Sequence, residues 1–156
     1  MSTGLILILE GLFMPNKYLV YTDGGCVNNG QPYAKGGFGV VILNYQDGTH
    51  QTLRNHYPIK GVTNNQMEVL AVLKALEFID NLETETALIE IRTDSQLVIG
   101  WCVGGWKRRA ETCIPLLAEI DILLQKHQVN FTWVRGHEKD KYNNLADKLA
   151  GLEIGL

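Results

Sequence analysis

Apolar residues along this chain recur with two different periods, and the alternation between them outlines a mixed fold. Tyr18-Leu19-Val20-Tyr21-Thr22 and Gly37-Phe38-Gly39-Val40-Val41-Ile42-Leu43 are short β-rich runs, the first stopped by the turn signal Asp23-Gly24-Gly25. Asp47-Gly48 is a hairpin signal, so a third strand around Thr49 to Tyr57 is expected to pair antiparallel with the second. From Met67 to Leu82 the period becomes three and four, with Val69, Leu70, Leu73, Leu76 and Ile79 on one helical face. Thr63 followed three residues later by Gln66 fits a capping box, which puts Glu68 in or near the first turn. Ala87 to Thr93 reads as a fourth strand, and a short helix starts at Asp94-Ser95 and ends near Gly104-Gly105. Ile114, Leu117, Ile120, Leu124 and His127 mark another helix, with Pro115 tolerated in its first turn. Val129 to Val134 is a fifth strand and Asn143 to Gly151 a final helix. The order βββαβααβα is that of an α/β protein whose mixed sheet begins with a hairpin.

Composition narrows the reading further. The chain has 156 residues, 46% of them hydrophobic and 20% charged, which suits one domain whose core needs no disulfide or metal. Residues 1–16 are expected to be an N-terminal extension of a domain spanning 17–156, with residues 1–13 dispensable. Leu5 to Leu9 form an apolar run too short to span a membrane and without the basic start of a signal peptide, and Met14 begins a second plausible start. Cys26, Cys102 and Cys113 are odd in number and lack C-x-x-C spacing, which favours free thiols in a reducing, cytoplasmic setting. With 14 Lys+Arg against 17 Asp+Glu, the net charge of −3 excludes attachment to nucleic acid by bulk positive charge alone. A local basic patch, or carboxylates neutralised by metal, would still permit that partner.

Four carboxylates fall where this outline puts strand ends or helices: Asp23 after the first strand, Glu68 early in the long helix, Asp94 after the fourth strand and Asp147 in the last helix. Sites in open α/β sheets gather at the carboxyl ends of strands, so residues distant in sequence can converge there. Converging acids repel unless protonated or bound to cations, and oxygen-only clusters suit Mg²⁺ or Mn²⁺. Taken singly, each acid reads better as a solvated cap, helix N-terminus or turn residue.

Five local blocks go further. Tyr21-Thr22-Asp23-Gly24-Gly25-Cys26, Thr63-Asn64-Asn65-Gln66-Met67-Glu68, Thr93-Asp94-Ser95-Gln96, Trp133-Val134-Arg135-Gly136-His137 and Asn144-Leu145-Ala146-Asp147 resemble type 1 ribonuclease H, in that family's order. The resemblance implies the ribonuclease H-like fold, a five-stranded mixed sheet with helices on both faces. It also implies an endonuclease that hydrolyses the RNA strand of an RNA/DNA hybrid. By the family's pattern Asp23, Glu68, Asp94 and Asp147 would hold two Mg²⁺ ions, with Mn²⁺ an alternative, and cleavage would leave 5′-phosphate and 3′-hydroxyl ends. His137, in a polar segment (Glu138 to Lys141) expected to be mobile and exposed, would shuttle a proton or help release product; an ordinary exposed histidine is the bland alternative.

Asn29, Thr63, Asn64, Asn65 and Gln96 match, or lie beside, family positions that contact the nucleic acid strands. Amide side chains both donate and accept, which suits reading a 2′-hydroxyl. The chain departs from many members after the short helix: Gly104-Gly105-Trp106-Lys107-Arg108-Arg109 runs almost directly into Glu111-Thr112-Cys113, leaving little room for the basic handle insertion. These basic residues read equally as phosphate contacts or as a solvated turn. The expected partner is an RNA/DNA hybrid, with no membrane and no obligate protein partner, bound by a monomer. A non-catalytic binding module on the same fold is the competing reading, disfavoured because a pure binder gains nothing from four acids facing phosphate.

Overall fold

The structure, a computed structural model, describes residues 14–57, 59–135 and 140–155. The expected dispensable segment 1–13 and the candidate His137 lie outside the described residues. The elements are β1 (Lys17–Val27), β2 (Lys35–Asn44), β3 (His50–Tyr57), α1 (Asn64–Leu82), β4 (Leu88–Thr93), α2 (Gln96–Cys102), α3 (Ile114–Lys126), β5 (Gln128–Trp133) and α4 (Lys141–Glu153). They form a five-stranded sheet in the order β3-β2-β1-β4-β5. β1, β2 and β3 pair antiparallel, whereas β4 lies parallel to β1 and β5 parallel to β4. No helix among the described residues is long and apolar enough to cross a membrane.

The run from Tyr18 to Thr22 does not alternate because both faces of β1 are covered. Tyr18 and Val20 enter the larger core beneath α1 and α3, where Met67, Leu73, Leu76, Ile79, Leu117 and Ile120 are buried. Leu19 and Tyr21 point to the opposite face and pack with Val41 and Ala146 of α4. The sheet is thus sandwiched between unequal helical layers. Asn16 fastens the chain's entry to this sandwich: its side-chain amide donates to Glu83 at 2.9 Å, and its carbonyl accepts from Leu88 N–H at 2.8 Å.

Local signals place the helices. Thr63 caps α1 by accepting from Gln66 N–H at 3.2 Å. The reciprocal half of the capping box is not made, because Gln66 Oε1 is buried without a partner. Asn29 supplies a second cap instead, its side-chain oxygen accepting from Asn64 N–H at 2.7 Å. Pro115 sits in the first turn of α3, where its missing N–H costs no helical bond. On α3 it is Leu117, Ile120 and Leu123 that are buried, while Ile114 remains exposed.

One expectation about β1 needs correction. Asp23-Gly24-Gly25 does not end the strand; the antiparallel ladder with β2 continues to Val27↔Lys35. What stops near Asp23 is the other ladder, since parallel pairing with β4 ends at Tyr21↔Arg92. Beyond that point β1 and β4 separate, and glycines that read as a turn serve as places of close approach. A Cβ on Gly24 would lie 2.4 Å from the Glu68 nitrogen, and one on Gly39 would lie 2.2 Å from the Ala146 carbonyl oxygen. α1 and α4 therefore rest on bare strand backbone from opposite faces.

Gly39→Ala is expected to overpack the α4 interface by about 1–3 kcal/mol. Calorimetry should register this as a fall in Tm of roughly 3–10 °C; an unchanged Tm would contradict the close approach.

Candidate active site

The strand order reverses between β1 and β4, and their carboxyl ends open there into a crevice of the kind where α/β sheets bind ligands. Asp23 enters it from β1, and Asp94 follows the last residue of β4. Glu68, one turn into α1, is brought alongside because Gly24 lets the helix touch the strand. Carboxylate oxygens of Asp23, Glu68 and Asp94 all lie within 4.8 Å of one another. Asp147 of α4 joins as a neighbour of Asp23, close enough to raise the proton affinity of the Asp23 carboxyl. It is not one of the three mutually close groups. The four acids that the sequence singled out thus face one crevice, three as a cluster and the fourth through its neighbour.

Burial is graded across the cluster. Asp23 is 8% exposed, Glu68 is half-buried and Asp94 stands at the exposed rim. The Asp23 carboxyl is pushed up to about 8, first by burial, then by the hydrogen bond with Asp147 and the charge of Asp94. Glu68 is also pushed well above the usual carboxylate range, first by burial and then by the charges of Asp23 and Asp94. No donor reaches Glu68 Oε2, which is buried without a hydrogen-bond partner. A buried acceptor with nothing to accept is costly, and here it faces other acceptors. Protons relieve the arrangement at low pH. Near neutrality, a hard cation bound through oxygen does so better, and the donor set fits Mg²⁺ or Mn²⁺.

The predicted substrate residues fall into two groups. Asn29, Thr63, Asn64 and Asn65 meet at the N-terminus of α1, with Asn64 and Asn65 exposed. Gln96 opens α2 and lines a surface groove with Ile99, Gly100, Gly104, Trp106 and Trp133. The basic segment divides by function. Arg108 turns inward, donating to both Asp121 carboxylate oxygens at 2.6 and 2.7 Å and to the Trp101 carbonyl at 2.8 Å, while Lys107 and Arg109 are exposed.

Some residues that shape the site escaped the sequence reading. Trp133 Nε1 donates to the Asp94 carbonyl at 3.1 Å, steadying the rim acid. Asp140, expected in a mobile stretch, instead caps α4 by accepting from Tyr142 and Asn143 N–H at 3.0 and 3.2 Å, which also moves the start of that helix from Asn143 back to Lys141. The signal was present: an Asp immediately before a helical period is an N-cap pattern. Gly37 and Gly39, two residues apart, likewise announced a strand face stripped for close approach.

The RNase H family model matches residues 15–154, and the chain belongs to the ribonuclease H family. It is 39% identical over 154 residues to a ribonuclease H of Ruthia magnifica subsp. Calyptogena magnifica, covering 89% of this chain and 96% of that protein. It is 36% identical to ribonuclease HI of Synechocystis over 148 residues, covering 87% of this chain and 86% of the relative. Among solved structures, LC11-RNase H1 in complex with an RNA/DNA hybrid superposes with a TM-score of 0.70 at 26% identity, covering 88% of this chain and 96% of that one.

The electrostatics give a signed prediction. In the unfolded chain Asp23 releases its proton near the ordinary value of 3.8, whereas the folded chain retains it up to about 8. The folded state therefore binds more protons between these values, and stability falls as pH rises through that window. Asp23→Asn lacks this penalty. Metal-free Asp23→Asn should melt several degrees above the wild type at pH 8 and equal it below pH 4. A variant melting below the wild type at pH 8 would contradict the assignment.

Proposed function

We propose that this chain is a metal-dependent endonuclease that cleaves the RNA strand of RNA/DNA hybrids at the crevice between β1 and β4. The observation that carries this reading is the convergence of Asp23, Glu68 and Asp94, with carboxylate oxygens within 4.8 Å of one another, beside Asp147. Like charges at this spacing are stable only with protons or cations between them. Two divalent ions, Mg²⁺ or Mn²⁺, would supply Lewis-acid chemistry here, making the attacking water more acidic and offsetting charge on the leaving 3′-oxygen.

The chain's own residues have distinct tasks on this reading. Asp23, buried, and Glu68, partly covered, form the floor that gives up protons when cations are held. Asp94 offers its carboxylate at the rim, where a scissile phosphate from solvent can approach, and Asp147 completes the donor set from the opposite helix. Water attack on the phosphorus would break its bond to the 3′-oxygen, leaving 5′-phosphate and 3′-hydroxyl ends, and His137 is assigned an accessory role in proton transfer or product release. At the start of α1 the Asn64 and Gln66 N–H groups are taken by Asn29 and Thr63, and it is the Thr63 hydroxyl proton, at the positive end of the helix, that would meet a phosphate of the DNA strand. Asn29 already uses its side-chain oxygen on Asn64 N–H, which leaves its amide N–H₂ to donate. With Asn64, Asn65 and Gln96 it would read the 2′-hydroxyls of the RNA strand. The biological setting proposed is removal of RNA primers or R-loops in the cytoplasm by a monomer, with residues 17–156 as the catalytic unit.

One gel tests the class: labelled hybrid, RNA duplex, DNA duplex and single-stranded RNA, each with Mg²⁺ or chelator. Only the RNA of the hybrid should be cut, and chelator should stop it. Asp94→Asn should lower turnover by about 10²-fold or more, a loss on the scale of removing a positioned catalytic group. His137→Ala should slow turnover while leaving Mg²⁺ affinity intact. Wild-type turnover in Asp94→Asn would sink the site assignment.

The basic segment yields a separate test. If Lys107 and Arg109 each touch a phosphate, replacing either with Ala should reduce the log–log salt slope of hybrid binding by about 0.9. Arg108→Ala should leave the slope unchanged and lower Tm instead, since Arg108 is committed to Asp121 and the Trp101 carbonyl.

A further inference from the structure

α4 carries Asp147, and the sheet face beneath it combines apolar packing, Leu19, Tyr21 and Val41 against Ala146, with stretches of bare backbone. Gly37 and Gly39 lie under it, and a Cβ on either would strike the helix, 2.5 Å from Glu153 Cβ or 2.2 Å from the Ala146 oxygen. Helix packing is ordinarily registered by side-chain ridges entering grooves. Over these glycines that registration is lost, so the position of the helix depends on its other contacts: apolar packing on Leu19, Tyr21 and Val41, the Arg54–Glu153 pair at its C-terminal end, and a polar cluster at its N-terminal end.

The N-terminal cluster is the polar one that joins α4 to β1, the strand that carries Asp23. Arg92 of β4 donates from Nη1 to the Tyr21 hydroxyl at 2.7 Å, and that hydroxyl donates to Asp140 Oδ2 at 3.0 Å. The other Asp140 oxygen caps α4, so one carboxylate holds helix and sheet at once. Arg92 also lies over the Tyr21 ring, 5.5 Å from its centroid, and Tyr21 leans against Tyr142 at 5.8 Å. Asp140 and Asp147 are seven residues apart, about two helical turns, and so share a helix face. Tyr21 and Asp23 are two residues apart on one strand and share a sheet face. The same side of α4 thus meets the same side of β1 twice, at Asp140–Tyr21 and at Asp147–Asp23.

We propose that Tyr21, Arg92 and Asp140 act as a pin that sets the position of α4 along the sheet and thereby holds the Asp147 carboxylate at Asp23. They are positioning residues, without contact to substrate. The inference rests on reading the acidic crevice as a metal site. The pin contributes more to geometry than to stability, because the Arg92 and Asp140 side chains are 31% and 30% exposed, and ion pairs at such exposure add little to folding.

Tyr21→Phe removes the hydroxyl and keeps the ring. Asp140→Asn keeps a competent helix cap but turns an N–H₂ group toward Tyr21 in place of the acceptor. Mn²⁺ affinity, measured by electron paramagnetic resonance without nucleic acid, should weaken about three- to tenfold in each variant. The double variant should be no weaker than the worse single one, as expected of two residues acting through one contact. With hybrid substrate, kcat should fall while KM holds, and Tm should change little. Unchanged Mn²⁺ affinity in both single variants, alongside normal wild-type binding, would overturn the pin alone. So would losses of affinity that track losses of Tm, or that add in the double variant. A wild type that takes up no Mn²⁺ would overturn the metal site itself, and this inference with it.

Discussion

At Gly24 the start of α1, and at Gly39 the middle of α4, come against strand backbone from opposite faces of the sheet, closer than any side chain would allow. Glu68 lies in the first of these contacts and Asp147 is the neighbour of the residue in the second. Asp23, which sits beside Gly24 in sequence and opposite Gly39 in register, stands between them. A helix packed on ordinary side chains would be held several ångströms further from the sheet, and carboxylates of ordinary reach would not meet. The two contacts thus determine that an acidic cluster exists at all. The sandwich of unequal cores is the frame that presses both helices inward.

A chain with net charge −3 that acts on a polyanion appears paradoxical only if charge is averaged over the molecule. The acids that matter are gathered in one crevice, and burial raises their affinity for protons. The same desolvation raises their affinity for a cation, since both relieve uncompensated negative charge in a poorly solvated place. On the proposed reading the crevice presents metal to the phosphate rather than bare carboxylate. The polyanion is then met by positive charge at the cut and by exposed Lys107 and Arg109 nearby in sequence to α2. Arg108, in the middle of the basic segment, is absorbed by Asp121. A count of cations therefore overstates what the segment can offer a nucleic acid.

Much of this was legible in the sequence, and the lapses have physical causes. Element order, hairpin pairing and the Thr63 cap follow from periodicity and short-range hydrogen bonding, which need no knowledge of the third dimension. The four acids stood beside predicted strands and helices, but it was the resemblance of the five blocks to type 1 ribonuclease H that singled them out as a set. Asp23-Gly24-Gly25 misled because the local signal for a turn is conformational freedom, and glycine supplies both that and absence of bulk; only the facing helix decides which is used. Asp140 was read as part of a solvated charge run because its partner Tyr21 lies more than a hundred residues earlier, on a strand whose run looked purely apolar. Ring and hydroxyl serve separately there, the ring filling the smaller core and the hydroxyl joining Arg92 to Asp140.

The gradient of burial gives the crevice a direction. Asp23 is enclosed between α1 and α4, Glu68 is partly covered, and Asp94 stands outermost, with its backbone carbonyl held by the Trp133 indole. Among the described residues the crevice is open at its exposed acids, Asp94 and Asp147, and beside Asp94 lies the groove lined by Gln96, Trp106 and Trp133. The N-terminus of α1, with Asn29 docked on it, bounds the approach from the other helix. A phosphodiester lying across the crevice would therefore present its phosphate to the acids while the flanking sugars face these two polar margins. The margins present amides and indoles, with the Arg135 guanidinium 5.8 Å from the centre of the Trp133 ring. Discrimination on this surface falls to groups that hydrogen-bond or stack, and the choice between ribose and deoxyribose is of that kind.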